Sequence, residues 1–198
     1  MKFSFNKGAF YGAIKGASRT HKVAYIGVMT ALAAVCNMFI EFKLADTQFS
    51  ITLFFSALTG AIIGPVYGFV ASFLGDLAGF LYNSGGYPYY PWIGIAMGTV
   101  SAISGLVMGF GGNGKGALLA TKIGIVSILT FAVATVGINT TAFWITYNHM
   151  KVPYAVYLTT RLFVQGQIWN SLFNYAILFA SMPIIRRFSA KNTTDGKK

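Results

Sequence analysis

The chain has 198 residues, 55% hydrophobic and 10% charged, with 15 Lys and Arg against 4 Asp and Glu. A soluble domain covers itself with roughly 25% charge, so a soluble enzyme is excluded, and 16% aromatic content excludes disorder. The single cysteine, Cys36, excludes an intrachain disulfide, and a net charge of +11 placed at segment ends, with no basic patch beside base-stacking aromatics, points to anionic lipid headgroups and not to nucleic acid.

In chain order, residues 1–22 are a basic cytoplasmic segment in which Phe3, Phe5, Phe10, Tyr11 and Ile14 alternate with lysines as either an interfacial helix or a basic tail. No small-x-small cleavage pattern follows, so the first apolar run is read as retained. A bilayer core about 30 Å thick takes about 20 apolar residues at about 1.5 Å each. Six spans meet that standard or approach it: Val23 to Ile40, Phe49 to Ile63, Val66 to Tyr82, Trp92 to Phe110, Leu118 to Ile145 and Tyr154 to Ile185. The second is short, and Gly64-Pro65 breaks it from the third, predicting a tight helical hairpin. The last is longer than a membrane needs, which puts its start at Pro153 outside the core. Residues 189–198 form a polar cytoplasmic tail, leaving 23–188 as the membrane domain.

Orientation follows from the retention of basic residues on the cytoplasmic side. The N-terminal segment, the connection with Lys115 and Lys122, and the C-terminal end carry twelve; Lys43, Lys151 and Arg161 make three on the other side. The expectation is an all-α integral membrane protein of the cell membrane, six transmembrane helices with both termini cytoplasmic.

Catalytic chemistry finds no support. His21 and His149 fall on opposite sides of the membrane, no metal-ligand spacing appears, and there is no Gly-x-Ser-x-Gly. Gly109 to Lys115 matches a phosphate loop except that Gly116 stands where Ser or Thr belongs, and it follows an apolar helix instead of a strand. A cytoplasmic turn is the reading, with any ATP hydrolysis on another chain. Asp76 lies inside the third span, where an ionised carboxylate costs about 2.5–3.5 kcal/mol. It is either bonded to neighbouring helices, which Gly68, Gly75 and Gly79 bring close, or it handles a ligand or ion.

The uncharged connection Asn83 to Trp92 is the most informative stretch, with two glycines, two prolines and the aromatics Tyr87, Tyr89, Tyr90 and Trp92 beside Tyr82. Such rings serve as belt anchors or as a rigid outer site for a ring-bearing ligand. Past the fifth span lie Tyr147, Asn148, His149, Lys151, Tyr154 and Tyr157. On the last helix, Gln167, Asn170 and Asn174 share a face that must point inward, for interhelical bonding or for a ligand, with Arg161 and Gln165 on a neighbouring face nearer the outside. In the first span, Gly27 and Ala31, and beside them Thr30 and Ala34, make a flat strip for another helix, of this chain or of a partner.

The order of these features, from Gly27/Ala31 through Gly64-Pro65-Val-Tyr-Gly68 and Gly75-Asp76 to the loop before Trp92 and the Arg161 region, resembles the substrate-binding S components of energy-coupling factor (ECF) vitamin transporters, most of all the folate-type members. The resemblance implies a six-helix protein that binds one vitamin at its outer face without a cofactor of its own. It also implies partners: a shared transmembrane scaffold (EcfT-type), docked through Gly27 and Ala31, and two cytoplasmic ATPases that use the ATP. It maps the vitamin site to Tyr82, Tyr87, Tyr89, Tyr90, Trp92, Tyr147, Asn148, Arg161, Gln167, Asn170 and Asn174. Folate-type members tend to carry a Pro-Gly-Phe-Thr-like sequence after the aromatic loop and a Lys near the last-helix Arg. Here Pro91 precedes Trp92-Ile93, and Arg161 is followed by Gln165-Gly166 with no Lys. The missing cation disfavours a dianionic ligand, and the Tyr, Trp, Asn and Gln side chains favour cobalamin, with folate as the alternative. An ATP-independent secondary carrier coupled through Asp76 and a structural subunit binding no small molecule are the other classes.

Overall fold

The computed structural model describes residues 18–39, 41–44, 47–82, 88–110, 116–146 and 148–186. The outer helix α1 (Arg19–Phe39) leads into two short strands, β1 (Glu41–Leu44) and β2 (Thr47–Ser50), paired antiparallel with Glu41 opposite Ser50 and Leu44 opposite Thr47. Then come α2 (Thr52–Ile63), α3 (Pro65–Tyr82) and α4 (Pro91–Gly109). A continuous helix, α5 (Gly116–Thr146), carries a π-helical segment over Phe131–Thr140. A short helix, α6 (Tyr154–Thr159), runs into a π-helical turn (Thr160–Val164), and α7 (Gln167–Ala180) follows.

The helical reading therefore holds, with two corrections. Phe49 and Ser50 belong to a strand, so the second apolar helix starts at Thr52, and the described residues include an antiparallel strand pair beside the helices. The alternation Glu41-Phe-Lys-Leu and Thr47-Gln-Phe-Ser has the strand period of two. The last apolar segment is not one helix: Gly166 takes a left-handed conformation (φ 69°), which ends the π turn and lets α7 start afresh with Asn170 N–H bonding the Gly166 carbonyl at 3.0 Å. At Gly64-Pro65 the expected break is present, Gly64 having φ 88°.

α1, α3, α4 and α5 are long and apolar enough to cross a membrane, while α2, with 12 residues, rises only about 18 Å. α2 is instead the interior helix: nine of its residues are buried, and it touches α1, α3, α4 and α7. Small residues and hydroxyls permit that closeness. A side chain on Gly60 would collide with the Ser101 carbonyl of α4. Ser101 Oγ donates to the Ser56 carbonyl and shares a hydrogen bond with Ser72 Oγ of α3 (2.6 Å), and Ser104 Oγ donates to the Ala57 carbonyl at 2.7 Å. Where lipid offers no water, such bonds are the partners available to hydroxyls. Leu53, Ala57, Val100, Leu119, Ile123, Val126 and Leu178 fill the core between α2, α4, α5 and α7.

The outer surface is apolar, as lipid contact requires. Val23, Leu81 and Ile128 are 70%, 73% and 71% exposed, and Val28, Val133, Leu172 and Phe173 are exposed too. Lys122 is buried in α5, its Nζ 3.4 Å from the Met108 carbonyl at the C-terminal end of α4, where the helix dipole favours a cation.

Candidate functional site

Three helix ends converge on one group of rings. Pro91 at the first position of α4 sets the entry of that helix and leaves Tyr90 and Trp92 on either side of it. Their rings lie 4.7 Å apart, and both meet Phe143 near the end of α5 edge-on, at 6.1 and 6.2 Å. The Arg161 guanidinium, on the π turn after α6, sits 4.3 Å above the Phe143 ring, close enough for a cation–π attraction. Aromatic pairs of this kind contribute about 0.5–1.5 kcal/mol each beyond burial, which favours this arrangement of the rings.

Three buried polar atoms on these segments, Trp92 Nε1, Arg161 Nε and Asn139 Oδ1, have no hydrogen bond. Asn139 lies four residues before Phe143, about one turn deeper along α5. An unmet buried group costs about 1–3 kcal/mol, and here two unmet donors belong to residues of the ring cluster, while one unmet acceptor stands a turn before Phe143 on the same helix. Both Asn139 and Arg161 sit on π-helical segments, which are frequent at functional sites. Asn139 and Phe143 went unrecognised in sequence; the available signal was Asn139 itself, an amide within a span that, Lys122 aside, is otherwise apolar, small or hydroxylic.

The other expected site residues divide between several places. Tyr89 is half-buried, its hydroxyl donating to Asp76 Oδ2 at 3.2 Å and its ring 5.1 Å from Phe80. Burial, with the adjacent Asp76 charge and that bond, pushes the Tyr89 hydroxyl up to about 12, so it stays a donor at any physiological pH. Asp76, 6% exposed, also accepts from Asn37 Nδ2 of α1 at 3.4 Å. Tyr82 is exposed and rests on Phe39, at 5.9 Å between centroids. Asn148 accepts from Val152 N–H at 3.2 Å and closes the turn through His149 and Met150, both left-handed. Tyr87 and Tyr147 lie outside the described residues.

The amide face points inward, as expected, and two of its members already have protein partners. Ile51 provides no side-chain cap for α2. Asn174 does so from α7: its Oδ1 accepts the Phe54 N–H at 2.8 Å and its Nδ2 donates to the Ser50 carbonyl at 2.7 Å. Asn170 Oδ1 accepts the Ser50 N–H at 3.1 Å. Gln167 is half-buried. Thr52 Oγ1 and Ser56 Oγ, one turn apart on α2, are buried without partners.

The small-residue strip of α1 splits in two. A methyl group on Gly75 of α3 would lie 2.5 Å from Ala33 Cβ and 3.1 Å from the Thr30 carbonyl, so Thr30, Ala33 and Ala34 face α3. Gly27 and Ala31 are exposed, and a side chain on Gly27 would meet nothing within 4 Å. Among the described residues no three His, Cys, Asp or Glu are grouped to hold a metal ion.

A family model described as "ECF-type riboflavin transporter, S component" matches residues 17–186. Among solved structures, the crystal structure of FolT bound with folic acid is similar in fold, with a TM-score of 0.59 and 19% identity over 85% of this chain and 93% of that one. No curated protein sequence matches the chain.

Proposed function

The chain belongs to the family of ECF-type riboflavin transporter S components, membrane-embedded transport subunits and not enzymes, and on that premise we propose that it captures a flat heteroaromatic vitamin, of the riboflavin type, at the outer end of α4, α5 and α6. The observation that carries this reading is the set of unmet groups on the ring-cluster residues and one turn before Phe143. Two donors, Trp92 Nε1 and Arg161 Nε, and one acceptor, Asn139 Oδ1, complement a ring edge that reads carbonyl, N–H, carbonyl. An imide ring such as that of riboflavin has that edge, while Tyr90, Trp92 and Phe143 offer ring faces and edges to a flat body.

Folate is the second reading, supported by the fold likeness to FolT. A pterin edge brings more donors than Asn139 alone meets, and Arg161 is the one cation in this group for two carboxylates. Cobalamin has no support from either comparison. The argument for it rested on the missing cation and on Tyr, Trp, Asn and Gln side chains suited to an amide-rich ligand, and two of those amides, Asn170 and Asn174, are engaged with β2 and α2.

The rest of the proposal follows the family. Six spans with cytoplasmic termini place the ring cluster outside; the exposed Gly27/Ala31 side of α1 docks on an EcfT-type scaffold, and two partner ATPases supply the energy. Titrating the purified chain with riboflavin, folate, cobalamin, pantothenate and thiamin in the absence of ATP tests the reading. Riboflavin is expected to bind, with its fluorescence quenched by the stacked rings, and Asn139→Ala and Trp92→Ala to weaken it about tenfold or more. Binding of folate alone selects the second reading. ATP-independent uptake by this chain in proteoliposomes overturns the proposal in favour of a secondary carrier with Asp76 as its coupling residue.

A further inference from the structure

Tyr89 does not join the ring cluster, although it adjoins Tyr90 in sequence. It turns to the other side of the α4 entry, where its hydroxyl reaches Asp76 of α3 at 3.2 Å. The seat is shaped for it: a methyl group on Gly94 would lie 2.6 Å from the Tyr89 hydroxyl. Asp76 is held in turn from α1, since Asn37 Nδ2 donates both to its Oδ1 and to its main-chain carbonyl, each at 3.4 Å. Asn37 sits over Gly79, where a side chain would lie 2.7 Å from its amide nitrogen. Three segments, α1, α3 and the residues leading into α4, therefore meet on one buried carboxylate.

We propose that Asp76 is a positioning residue of the vitamin site: by anchoring Tyr89 it fixes the Tyr90-Pro91-Trp92 entry of α4, and through Asn37 it makes the position of those rings and the position of α1 one coupled setting. It acts through Tyr89, one residue from Tyr90 and three from Trp92. This rests on the vitamin-capture reading for its purpose, and its geometry stands without it.

Two measurements separate the anchor from a mere packing bond. In a Trp144→Phe, Trp169→Phe background Trp92 is the only tryptophan, so acrylamide quenching reports its shielding with no ligand present. Tyr89→Phe keeps the ring and removes the bond to Asp76. It is expected to raise Trp92 quenching about twofold and, in the otherwise native chain, to speed vitamin dissociation about tenfold, the lower end for a hydrogen bond to a charged group. Gly94→Ala, which unseats the same hydroxyl, should act in the same direction. Asp76→Asn keeps an acceptor and should give a smaller change, and Asn37→Ala should raise quenching although it lies on α1. Unchanged quenching and dissociation in Tyr89→Phe, even with lowered thermal stability, overturn the proposal and leave Asp76 as a tie between α1 and α3. Failure of the native chain to bind any vitamin defeats the capture reading instead, while the quenching result still decides the anchor.

Discussion

Asn174 offers the sharpest separation of architecture from ligand binding. Asn174→Leu keeps the bulk of the side chain and removes both of its bonds to the start of α2. The Phe54 N–H and the Ser50 carbonyl, held at 2.8 and 2.7 Å, would be left without those partners beside a residue that is fully buried. Each unmet group costs about 1–3 kcal/mol, and loss of a helix cap falls in the same range, so the pair sums to about 4 kcal/mol. For a chain of this length a kcal/mol moves the midpoint by roughly 2–4 °C, and the expected loss is about 10 °C in thermal denaturation of the detergent-purified protein. Vitamin affinity measured well below the transition should stay within about threefold of the native value, because the amide is turned toward α2 and β2. An unchanged midpoint together with an affinity loss above tenfold would refute the assignment and place Asn174 in the vitamin site.

Three further outcomes follow from the same geometry. Gly60→Val should abolish folded protein or lower the midpoint by more than 10 °C, since the new side chain meets the Ser101 backbone and not a flexible side-chain end; size-exclusion recovery reads this directly. Gly27→Leu should leave stability and vitamin binding intact, because nothing lies within 4 Å of the new Cβ, yet cut uptake at least tenfold in cells carrying the scaffold and ATPases. Normal uptake would remove Gly27 from the docking surface. Thr52→Val, which replaces a buried hydroxyl lacking a partner with an isostere, should be neutral or raise the midpoint by a few degrees, and a marked fall would reveal a partner for that oxygen.

Much of the scaffold was legible because its causes are local. Apolar runs of membrane length and the Gly64-Pro65 break depend on neighbours in sequence, and α1, α3, α4 and α5 appear within a few residues of where hydropathy puts them. The rings at Tyr90 and Trp92 were visible as a concentration of aromatics without charge. Their meeting with Phe143 and Arg161 depends on contacts more than fifty residues away, which no periodicity encodes. The amides on α7 show the same divide. A shared inward face for Asn170 and Asn174 follows from 100° per residue. Their partners at Ser50 and Phe54 follow from packing across 120 residues. The π segments were not legible either, because the α pattern and the π pattern differ by one residue per turn, too little to separate in an apolar run.

The closeness of α2, α3 and α4 also sets how the molecule behaves in time. Helices joined by Ser101, Ser104 and Gly60 expose their amides only when all three part, so these amides should be among the slowest to exchange with heavy water. The π segments and the left-handed Gly166 interrupt the regular bonding of α5 and of the α6–α7 stretch, so those amides should exchange faster. Slow and fast halves meet at the rings: Trp92 stands on the slow side, and Asn139, Phe143 and Arg161 on the fast side. A vitamin bound between them joins the two, so its residence time should follow the opening rate of the faster half.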